Sequence, residues 1–304
     1  MKPGHNKTLY IVAGPTAVGK TRFAIELAHK LKTEIISADS RQFYKEMCIG
    51  TAVPSSDELA AIPHHFIQHI SIQDGYNVHQ YEQEALKQID EIFKYQQSVV
   101  MVGGSGLYLN AVAYGIDDLP DPSEETRRQL ALLFEHEGLF GLQSLLRERD
   151  PLFYEEIDPQ NPNRLKRALE VCLTTGKTYS ELRLGQKKER AFEIKWIGLE
   201  QERSLLYERI NKRVDMMIMA GLIEEVEKLY PLKHLNALNT VGYREFFQWM
   251  DGEESYEWAL EKVKTNSRRY AKRQMTWFRK NEDIHWLNMD HKSEISGFIN
   301  NIQD

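Results

Sequence analysis

The sequence predicts an α/β fold in which a parallel sheet flanked by helices is interrupted by a helical insertion. Apolar runs alternate with helical patterns in the first third of the chain, residues 123–184 show helical patterns only, and an apolar run returns at 193–199. Alternating strands and helices indicate a parallel sheet with right-handed crossovers. The predicted core comprises residues 1–116 and 192–304, and the predicted insertion comprises residues 117–191.

The predicted strands are short and mostly apolar, as buried parallel strands are. They cover residues 8–13, 34–38, 64–70, 98–102, 193–199 and 284–289. Outside the insertion, helices are predicted near residues 23–31, 77–97, 202–220, 242–250, 255–280 and 292–301. Within the insertion, Asp150-Pro151 and the segment 158–162 are predicted breaks, because proline disrupts the interior of a helix.

Composition narrows the class of protein. The chain has 304 residues, a net charge of −6, 41% apolar residues and 28% charged residues, which is ordinary for a globular protein. Two distant cysteines, Cys48 and Cys172, exclude a disulfide framework and do not support a thiolate zinc site. Residues 1–8 show no apolar signal region, and no run of 18 apolar residues occurs. We therefore expect a cytoplasmic protein with no membrane association and no obligate protein partner.

Residues 14–21 fit the pattern GxxxxGK[ST] between a predicted strand and a predicted helix, the context that gives this motif its meaning. In such a loop, backbone N–H groups and the helix N-terminus bind phosphate. Lys20 is expected to contact the outer phosphate, and Thr21 is the expected Mg²⁺ ligand. The core is therefore expected to resemble P-loop NTPases. The predicted diphosphate-binding residues are Gly14, Pro15, Thr16, Ala17, Val18, Gly19, Lys20 and Thr21.

The loop indicates a polyphosphate ligand without specifying ATP. An ATPase or kinase normally adds a strand-end acid that holds Mg²⁺, whereas the strand at 98–102 ends in Gly103-Gly104. Asp39 follows the second predicted strand and is the one carboxylate at a strand end near the loop. On this basis Asp39 is either a metal partner or the base for an acceptor.

A basic segment near the end of the chain suggests contact with a nucleic acid. Between Lys262 and Lys280 there are eight lysines and arginines and no acid, so a single helix would present an unopposed basic face. Such a face binds phosphates with salt-dependent affinity. Trp277 and Phe278 are candidates for base stacking, although aromatic residues on a helix more often pack in the core.

Three histidines, His64, His65 and His69, fall within one predicted strand. Side chains alternate between the two faces of a strand, so this spacing favours structural histidines over metal ligands.

A series of short motifs occurs in a fixed order along the chain. They are Gly14–Thr21, Asp39–Gln42 with Tyr44, Gly50–Ala52, Gly103–Tyr108, Asn161–Arg164 with Arg167–Glu170, Val241–Arg244, and Ala271–Gln274 with Thr276–Arg279. Together they resemble the tRNA dimethylallyltransferase family over essentially the whole chain. One departure is Ser105, where the family usually has threonine, but the hydroxyl group is kept.

The resemblance implies that N6 of adenosine at tRNA position 37, next to the anticodon, attacks the allylic carbon of dimethylallyl diphosphate. The adenine amine is a poor nucleophile because its lone pair is delocalised, so a positioned base contributes ~10²–10⁴-fold. By this resemblance the catalytic residues are Asp39 as the base, Thr16 near the acceptor amine, and Arg213 on the diphosphate. A planar guanidinium suits that last role. Mg²⁺ is the implied cofactor, and the implied state is a monomer.

The resemblance also implies a surface for the tRNA anticodon stem-loop, the second partner besides dimethylallyl diphosphate. The target base must leave its stack and enter a pocket. Arg128 is an alternative to Arg127 within this set. The implied tRNA-binding residues are Asp39, Ser40, Arg41, Gln42, Ser105, Arg127, Asn163, Arg164, Leu165, Lys166, Arg167, Asn239, Thr240, Val241, Gly242, Tyr243 and Arg244.

Other functions stay open from the residues alone. An adenylate dimethylallyltransferase acting on free nucleotides would share the loop and the base, but it would not need the insertion or the basic segment. A small-molecule P-loop kinase would need a second metal carboxylate. A nucleotide-gated RNA-binding protein without chemistry would not need Asp39, so an Asp39→Asn substitution distinguishes it from an enzyme.

Overall fold

A computed structural model of the chain describes residues 7–302, which form two compact units. The first unit extends to Ala113 and resumes at Glu189, and the second unit is Tyr114–Lys188. These boundaries lie within three residues of the predicted ones. Most of the polar segment at 1–8, predicted to lack a signal region, lies outside the described residues.

The first unit contains a six-stranded sheet with the order β3-β2-β4-β1-β5-β6. All of its strand pairs are parallel, which confirms the predicted α/β class. β1 lies in the interior of the sheet between β4 and β5, so the loop that follows it opens near the middle of the carboxyl edge. The strands are β1 (Thr8–Ala13), β2 (Ile35–Ser37), β3 (His64–His65), β4 (Ser98–Gly103), β5 (Glu193–Glu200) and β6 (Ile284–Asn288).

Helices flank the sheet and form the whole regular structure of the second unit. They are α1 (Lys20–Leu31), α2 (Ser56–Ala61), α3 (Val78–Ile92), α4 (Gly106–Tyr114), α5 (Glu124–Arg149), α6 (Pro151–Glu156), α7 (Pro162–Thr175), α8 (Tyr179–Leu182), α9 (Arg203–Met219), α10 (Leu222–Leu229), α11 (Arg244–Met250), α12 (Tyr256–Phe278) and α13 (Lys292–Asn301). The predicted breaks at 150–151 and 158–162 are confirmed by the limits of α5, α6 and α7.

The third strand is much shorter than the predicted segment 64–70. Phe66 and Gln68 have φ values of 64° and 48°, in the left-handed region that a strand cannot accommodate. The chain therefore leaves the sheet after His65, and Ile70 makes only an isolated bridge to Tyr44. The prediction of one continuous strand with three histidines on it is wrong.

Three helices have no counterpart among the sequence predictions, namely α2, α4 and α10. α2 and α10 have only six and eight residues, too short to show a repeated helical pattern. α4 has the sequence GLYLNAVAY, which is apolar on nearly every side and so lacks an amphipathic signal.

The second unit has its own apolar core, formed mainly by α5, α6 and α7 around Leu142, Leu146 and Leu165. The fully buried Asp150 begins α6, and its carboxylate accepts hydrogen bonds from the backbone N–H groups of Phe153 and Ser180. These bonds fix the break between α5 and α6.

The chain passes between the units twice, and in each unit hydrogen bonds join the two segments at which it crosses. In the second unit, the backbone N–H of Lys188 donates to the carbonyl of Tyr114 at 2.8 Å. In the first unit, the guanidinium of Arg190 donates to the carbonyls of Ala111 and Val112, both at 2.9 Å, and to Glu82 at 2.8 Å. Entry and exit of the chain are therefore held together separately in each unit.

Across residues 7–302, no helix combines the length and the apolar character that crossing a bilayer requires.

Candidate active site

The loop between β1 and α1 has the backbone of a phosphate-binding loop. Gly14 has a φ of +151°, and a Cβ there would lie 2.6 Å from the carbonyl oxygen of Leu199, so only glycine fits. Gly19 also has a positive φ, of +107°, directly before α1 begins at Lys20. The Lys20 ammonium donates to the carbonyl of Pro15 at 2.8 Å and so folds back along the loop.

A cavity of about 420 Å³ lies beside this loop and will be called the loop-side cavity. Its walls come from the loop, the ends of β2 and β4, the segment 51–58 and helix α9. Lys20, Thr21, Asp39 and Arg213, all predicted to act on a diphosphate or its acceptor, line it together with an additional arginine, Arg209.

Asp39 is a half-buried carboxylate just past the end of β2. Its Oδ1 accepts the backbone N–H of Arg41 at 3.2 Å, which fixes the side chain in the turn that follows the strand. Burial raises the pKa of Asp39 above its usual value, against the opposing effect of Lys20, Arg41 and Arg213. A carboxylate with a raised pKa accepts a proton more readily, as a general base must.

The pKa values of the two cations near Asp39, Lys20 and Arg213, are lowered. Burial lowers the pKa of Lys20 to about 8, and Arg213 contributes to this lowering while Asp39 opposes it. Burial and the neighbouring Arg209 lower the pKa of Arg213, which nevertheless stays charged at neutral pH because its usual value is so high. This concentration of positive charge in a half-buried space favours an anionic ligand.

A second cavity of about 370 Å³ adjoins the first and will be called the helix-side cavity. It is lined by Ser40, Arg41, the segment 239–242, Arg244 and residues of α9 and α12. The two cavities share six lining residues, which are Thr16, Ala17, Asp39, Thr51, Ala52 and Arg213. All three predicted catalytic residues therefore lie where the cavities meet.

Several residues predicted to bind tRNA also hold the walls of these cavities. Arg41 donates to the carbonyls of Asn236 and Ala237, at 3.2 and 2.9 Å. Gln42 donates to the carbonyls of Thr51 and Ala52, at 3.1 and 2.9 Å. The hydrogen bonds of Arg41 and Gln42 thus join the turn after β2 to two other wall segments.

Ser105 follows β4 and lies beside the turn that carries Asp39. Its hydroxyl accepts the backbone N–H of Ser40 and contacts the Ser40 hydroxyl, both at 3.1 Å. Ser105 also shares a hydrogen bond with the Tyr270 side chain. The hydroxyl that this chain keeps in place of threonine therefore has protein partners on two sides.

Two side chains in the predicted tRNA-binding set have no exposed surface. Tyr243 is fully buried beneath Gly50, and its hydroxyl donates to Glu225 at 2.7 Å. Leu165 is fully buried in the core of the second unit. This corrects the prediction for both side chains, which position their segments and offer no surface to RNA.

The other candidates in the second unit are accessible, and all except Asn163 are basic. Arg127 and Arg128 are exposed and pair with Glu124 and Glu125 of the same helix, so their surroundings do not distinguish them. On α7, Asn163 and Arg164 are exposed and Lys166 lies over the Phe134 ring. Arg167 approaches Glu170 and the carbonyls of Leu119 and Pro120.

The basic segment 262–280, at the end of α12 and just after it, has acidic partners at two of its positions. Lys264 pairs with Asp215 of α9 at 2.8 Å, and Arg279 lies 3.6 Å from Glu200, so the prediction of an unopposed face is wrong for these two residues. A shallow cavity on the same helix is lined by Arg269, Lys272, Arg273, Thr276, Trp277 and Lys280. Trp277 is 39% exposed there, whereas Phe278 is 2% exposed and belongs to the core.

Three residues were given no role by the sequence but are central to the site. Arg209 lines the loop-side cavity and donates to the carbonyl of Val18 at 3.4 Å. Gln274 is buried and bonds to the backbone of Thr16. Glu225 binds the backbone of residues 48–50. Arg209 precedes Arg213 by one helical turn, which is the signal that could have identified it.

The three histidines separate into different surroundings. His65 contacts Glu34 at 2.5 Å, and His64 bonds to the carbonyl of Ile62 at 2.7 Å. His69 packs edge-on against Phe43, Phe66 and Tyr76. Over residues 7–302, no group of three or more histidine, cysteine or acidic side chains has an arrangement suited to a metal ion.

Comparison with known proteins shows that the chain is similar to one family. The model of the IPP transferase family matches residues 42–281. A tRNA dimethylallyltransferase of Christiangramia forsetii is 53% identical over 283 residues, covering 93% of this chain and 94% of that protein. The tRNA dimethylallyltransferase 1 of Phocaeicola vulgatus is 45% identical, covering 97% and 98% of the two chains.

Solved structures agree in fold. The tRNA isopentenylpyrophosphate transferase of Bacillus halodurans superposes with a TM-score of 0.70 at 36% identity, covering 97% of this chain and 95% of the other. A eukaryotic dimethylallyltransferase acting on tRNA gives a TM-score of 0.76 at 27% identity, covering 95% of this chain and 75% of the other.

Proposed function

This chain belongs to the IPP transferase family, and we propose that it transfers a dimethylallyl group from dimethylallyl diphosphate to N6 of adenosine 37 of tRNA, releasing diphosphate. One observation carries the proposal. Asp39, Thr16 and Arg213 line both the cavity at the phosphate loop and the cavity bounded by the predicted tRNA-binding segments. A donor in the first cavity and a base in the second would meet at these three residues.

Asp39 is the proposed base. As the N6 lone pair forms a bond to the allylic carbon, the carbon–oxygen bond to diphosphate breaks and the N6 proton passes to the carboxylate. The raised pKa of Asp39 favours that transfer, and its bond to the Arg41 N–H holds the carboxylate in place. Thr16, beside it, is the proposed hydroxyl partner of the acceptor amine.

The leaving diphosphate gains negative charge as its bond to carbon breaks. Lys20, Arg209 and Arg213 lie in the same cavity, and the loop amides precede the positive end of α1. Donors that are already in position stabilise this developing charge more than the ground state. Arg209 joins Arg213 in this proposed role.

Mg²⁺ fits the donor side of the site. Thr21 lines the loop-side cavity in the first turn of α1, and the remaining ligands would come from the diphosphate and from water. Mg²⁺ commonly keeps several waters and binds through few protein groups, so one hydroxyl beside a diphosphate is a suitable set. When bound, the ion would neutralise charge on the diphosphate oxygens.

The acceptor is proposed to be the anticodon stem-loop of tRNA. In the first unit, Ser40, Arg41, residues 239–242 and Arg244 line the helix-side cavity, where an unstacked base would enter. In the second unit, Arg127 and the exposed residues of 163–167 offer groups that bind a phosphate backbone.

The test is mass spectrometry of nucleosides from unmodified tRNA incubated with the protein, Mg²⁺ and dimethylallyl diphosphate. We expect a five-carbon adduct on the adenosine next to the anticodon, and its loss when EDTA removes Mg²⁺. Asp39→Asn should lower kcat by ~10²–10⁴-fold, because the base can no longer accept the proton. Asp90→Asn, at an exposed carboxylate of α3 that lines neither cavity, is the matched control and should leave the rate unchanged.

Parallel reactions with AMP or ATP as the acceptor distinguish the other functions. An adduct on AMP alone would identify a free-nucleotide dimethylallyltransferase. Consumption of ATP without any adduct would identify a phosphoryl-transfer enzyme, and tRNA binding with no reaction at all would identify a binding protein.

A further inference from the structure

One face of α12 lies along the segment that follows β4. Tyr270, Gln274 and Trp277 are spaced by four and three residues and so share that face. Tyr270 is hydrogen bonded to Ser105, and Gln274 Nε2 donates to the carbonyl of Gly104 at 3.0 Å. A Cβ at Gly106 would lie 2.2 Å from Trp277 Nε1, which shows how closely the helix approaches.

Gln274 also reaches the phosphate loop, from the other end of its amide. Its Oε1 accepts the backbone N–H of Thr16 at 2.8 Å, and the side chain is 5% exposed. A Cβ at Gly104 would lie 2.3 Å from Gln274 Nε2, so glycine at 104 makes room for this amide. A single buried side chain therefore connects the loop after β1 with the segment after β4.

This connection changes the role of one loop amide. The N–H of Thr16 is directed to Gln274, which leaves the later amides of the loop for phosphate. The Thr16 residue is then held by its backbone where both cavities meet. The part of the loop nearest the acceptor is thus fixed by α12, while the part that binds phosphate begins α1.

We propose that Gln274 is a positioning residue that holds Thr16 beside Asp39 and connects the basic helix α12 with the donor loop. This inference rests on the proposed prenyl transfer. The same helix carries Arg269 and Lys272 of the basic surface, and Lys280 follows its end, so the element that would contact RNA phosphates is bonded directly to the loop next to the donor.

The first test is Gln274→Met, which keeps the length of the side chain and removes both hydrogen bonds. We expect kcat for tRNA prenylation to fall about 10-fold or more, because the part-buried N–H of Thr16 loses its partner and Thr16 is no longer held beside Asp39. The dissociation constant of dimethylallyl diphosphate, measured by calorimetry without tRNA, should change less than about threefold, because the later loop amides and Lys20 are untouched.

A double-mutant cycle with Thr16→Ala separates positioning from general stability. If Gln274 acts through Thr16, adding Gln274→Met to Thr16→Ala should lower kcat by less than about twofold. An equal loss in both backgrounds, or a parallel weakening of donor binding, would overturn the proposal.

Gln143→Met is the matched control. Gln143 is half-buried and donates to the carbonyl of Pro159 at 2.8 Å in the second unit, so its loss removes a comparable bond away from the loop. Its kcat should equal that of the wild type. Adduct formation by the wild-type protein establishes the proposed function independently, so an unaffected Gln274→Met variant would reject this inference alone.

Discussion

Lys20 and Asp39 carry opposite charges and line one cavity. Burial lowers the pKa of Lys20 and raises the pKa of Asp39, so it favours the neutral form of each side chain. For Lys20 the shift matters near physiological pH, because its pKa falls to about 8. For Asp39 a higher pKa increases proton affinity, which is the property a base requires. A bound diphosphate would favour the charged form of Lys20, so ligand binding and protonation are linked.

This linkage predicts a pH dependence of donor binding. Above its pKa of about 8, Lys20 loses its proton in the free protein, and the diphosphate must then bind together with a proton. Between pH 7 and pH 9, the affinity for dimethylallyl diphosphate should therefore fall about tenfold. Isothermal titration calorimetry without tRNA measures this change.

Lys20→Met serves as the comparison. It should bind the donor weakly and show no fall over the same pH range, since the titrating group is gone. A fall of equal size in Lys20→Met would assign the pH dependence to another group.

Single residues differ in how well the sequence predicts them. Lys20, Thr21 and Asp39 were identified because they stand in or near a motif at strand ends, and the structure brings them into one cavity. Gln274 lies 258 positions from its partner Thr16, and nothing in the local sequence indicates that contact. Long-range hydrogen bonds of one side chain to a distant backbone leave no pattern in a single sequence.

Among the elements, the short helix α10 holds in place a segment that leads into the walls of both cavities. Glu225 on this helix accepts the N–H groups of Cys48, Ile49 and Gly50 at 2.8 to 2.9 Å. It also accepts the Tyr243 hydroxyl at 2.7 Å. The carboxylate thereby holds the segment that continues into Thr51 and Ala52, both of which line the two cavities.

Glu225→Gln tests this attachment. The substituted amide offers one acceptor oxygen where the carboxylate offers two, so at least one backbone N–H loses its partner. We expect the free energy of unfolding to fall by ~1–3 kcal/mol, measured by urea denaturation. Prenylation should fall as well, because Thr51 and Ala52 shift.

Glu224→Gln provides the control on the neighbouring, exposed position of the same helix. It removes the same charge near the helix N-terminus without removing the contacts to residues 48–50. Equal destabilisation by both substitutions would mean that helix charge, and not the contact with the segment, is the cause.

The elements themselves were predicted well where their patterns are long. The limits of β1 and α13 agree with the prediction, because an uninterrupted apolar strand and a helix of ten residues carry clear signals. The third strand was overextended because the apolar residues Phe66, Ile67 and Ile70 follow its start. The left-handed backbone that ends the strand, at Phe66 and Gln68, is set by the surrounding fold. Backbone conformation at such positions depends on tertiary contacts that the sequence does not reveal.

For the whole molecule, the distribution of charge matters more than its sum. The net charge is −6, yet Arg269, Lys272, Arg273 and Lys280 lie together around one shallow cavity of α12. An acidic protein can bind RNA through such a local surface, because counterions are released from the phosphates it contacts. The acids elsewhere mainly oppose non-specific association.

The dependence of tRNA affinity on salt concentration tests this surface. Lys272→Gln should weaken binding and reduce the slope of log K against log salt by about 0.7–0.9, the value of one phosphate contact. Lys30→Gln, an exposed lysine of α1 outside this surface, should leave the slope unchanged. Fluorescence anisotropy with labelled anticodon stem-loop measures both, and equal slopes for all three proteins would exclude α12 as the contact.

The separate closure of the two units has a consequence for how this architecture arose and can be altered. Arg190 secures the sheet unit at Ala111 and Val112, and the Lys188–Tyr114 bond secures the helical unit at its own base. Residues 114–188 thus form a cassette whose two ends lie side by side. Evolution or a protein engineer can lengthen, shorten or exchange such a cassette while the path of the chain through the sheet stays the same.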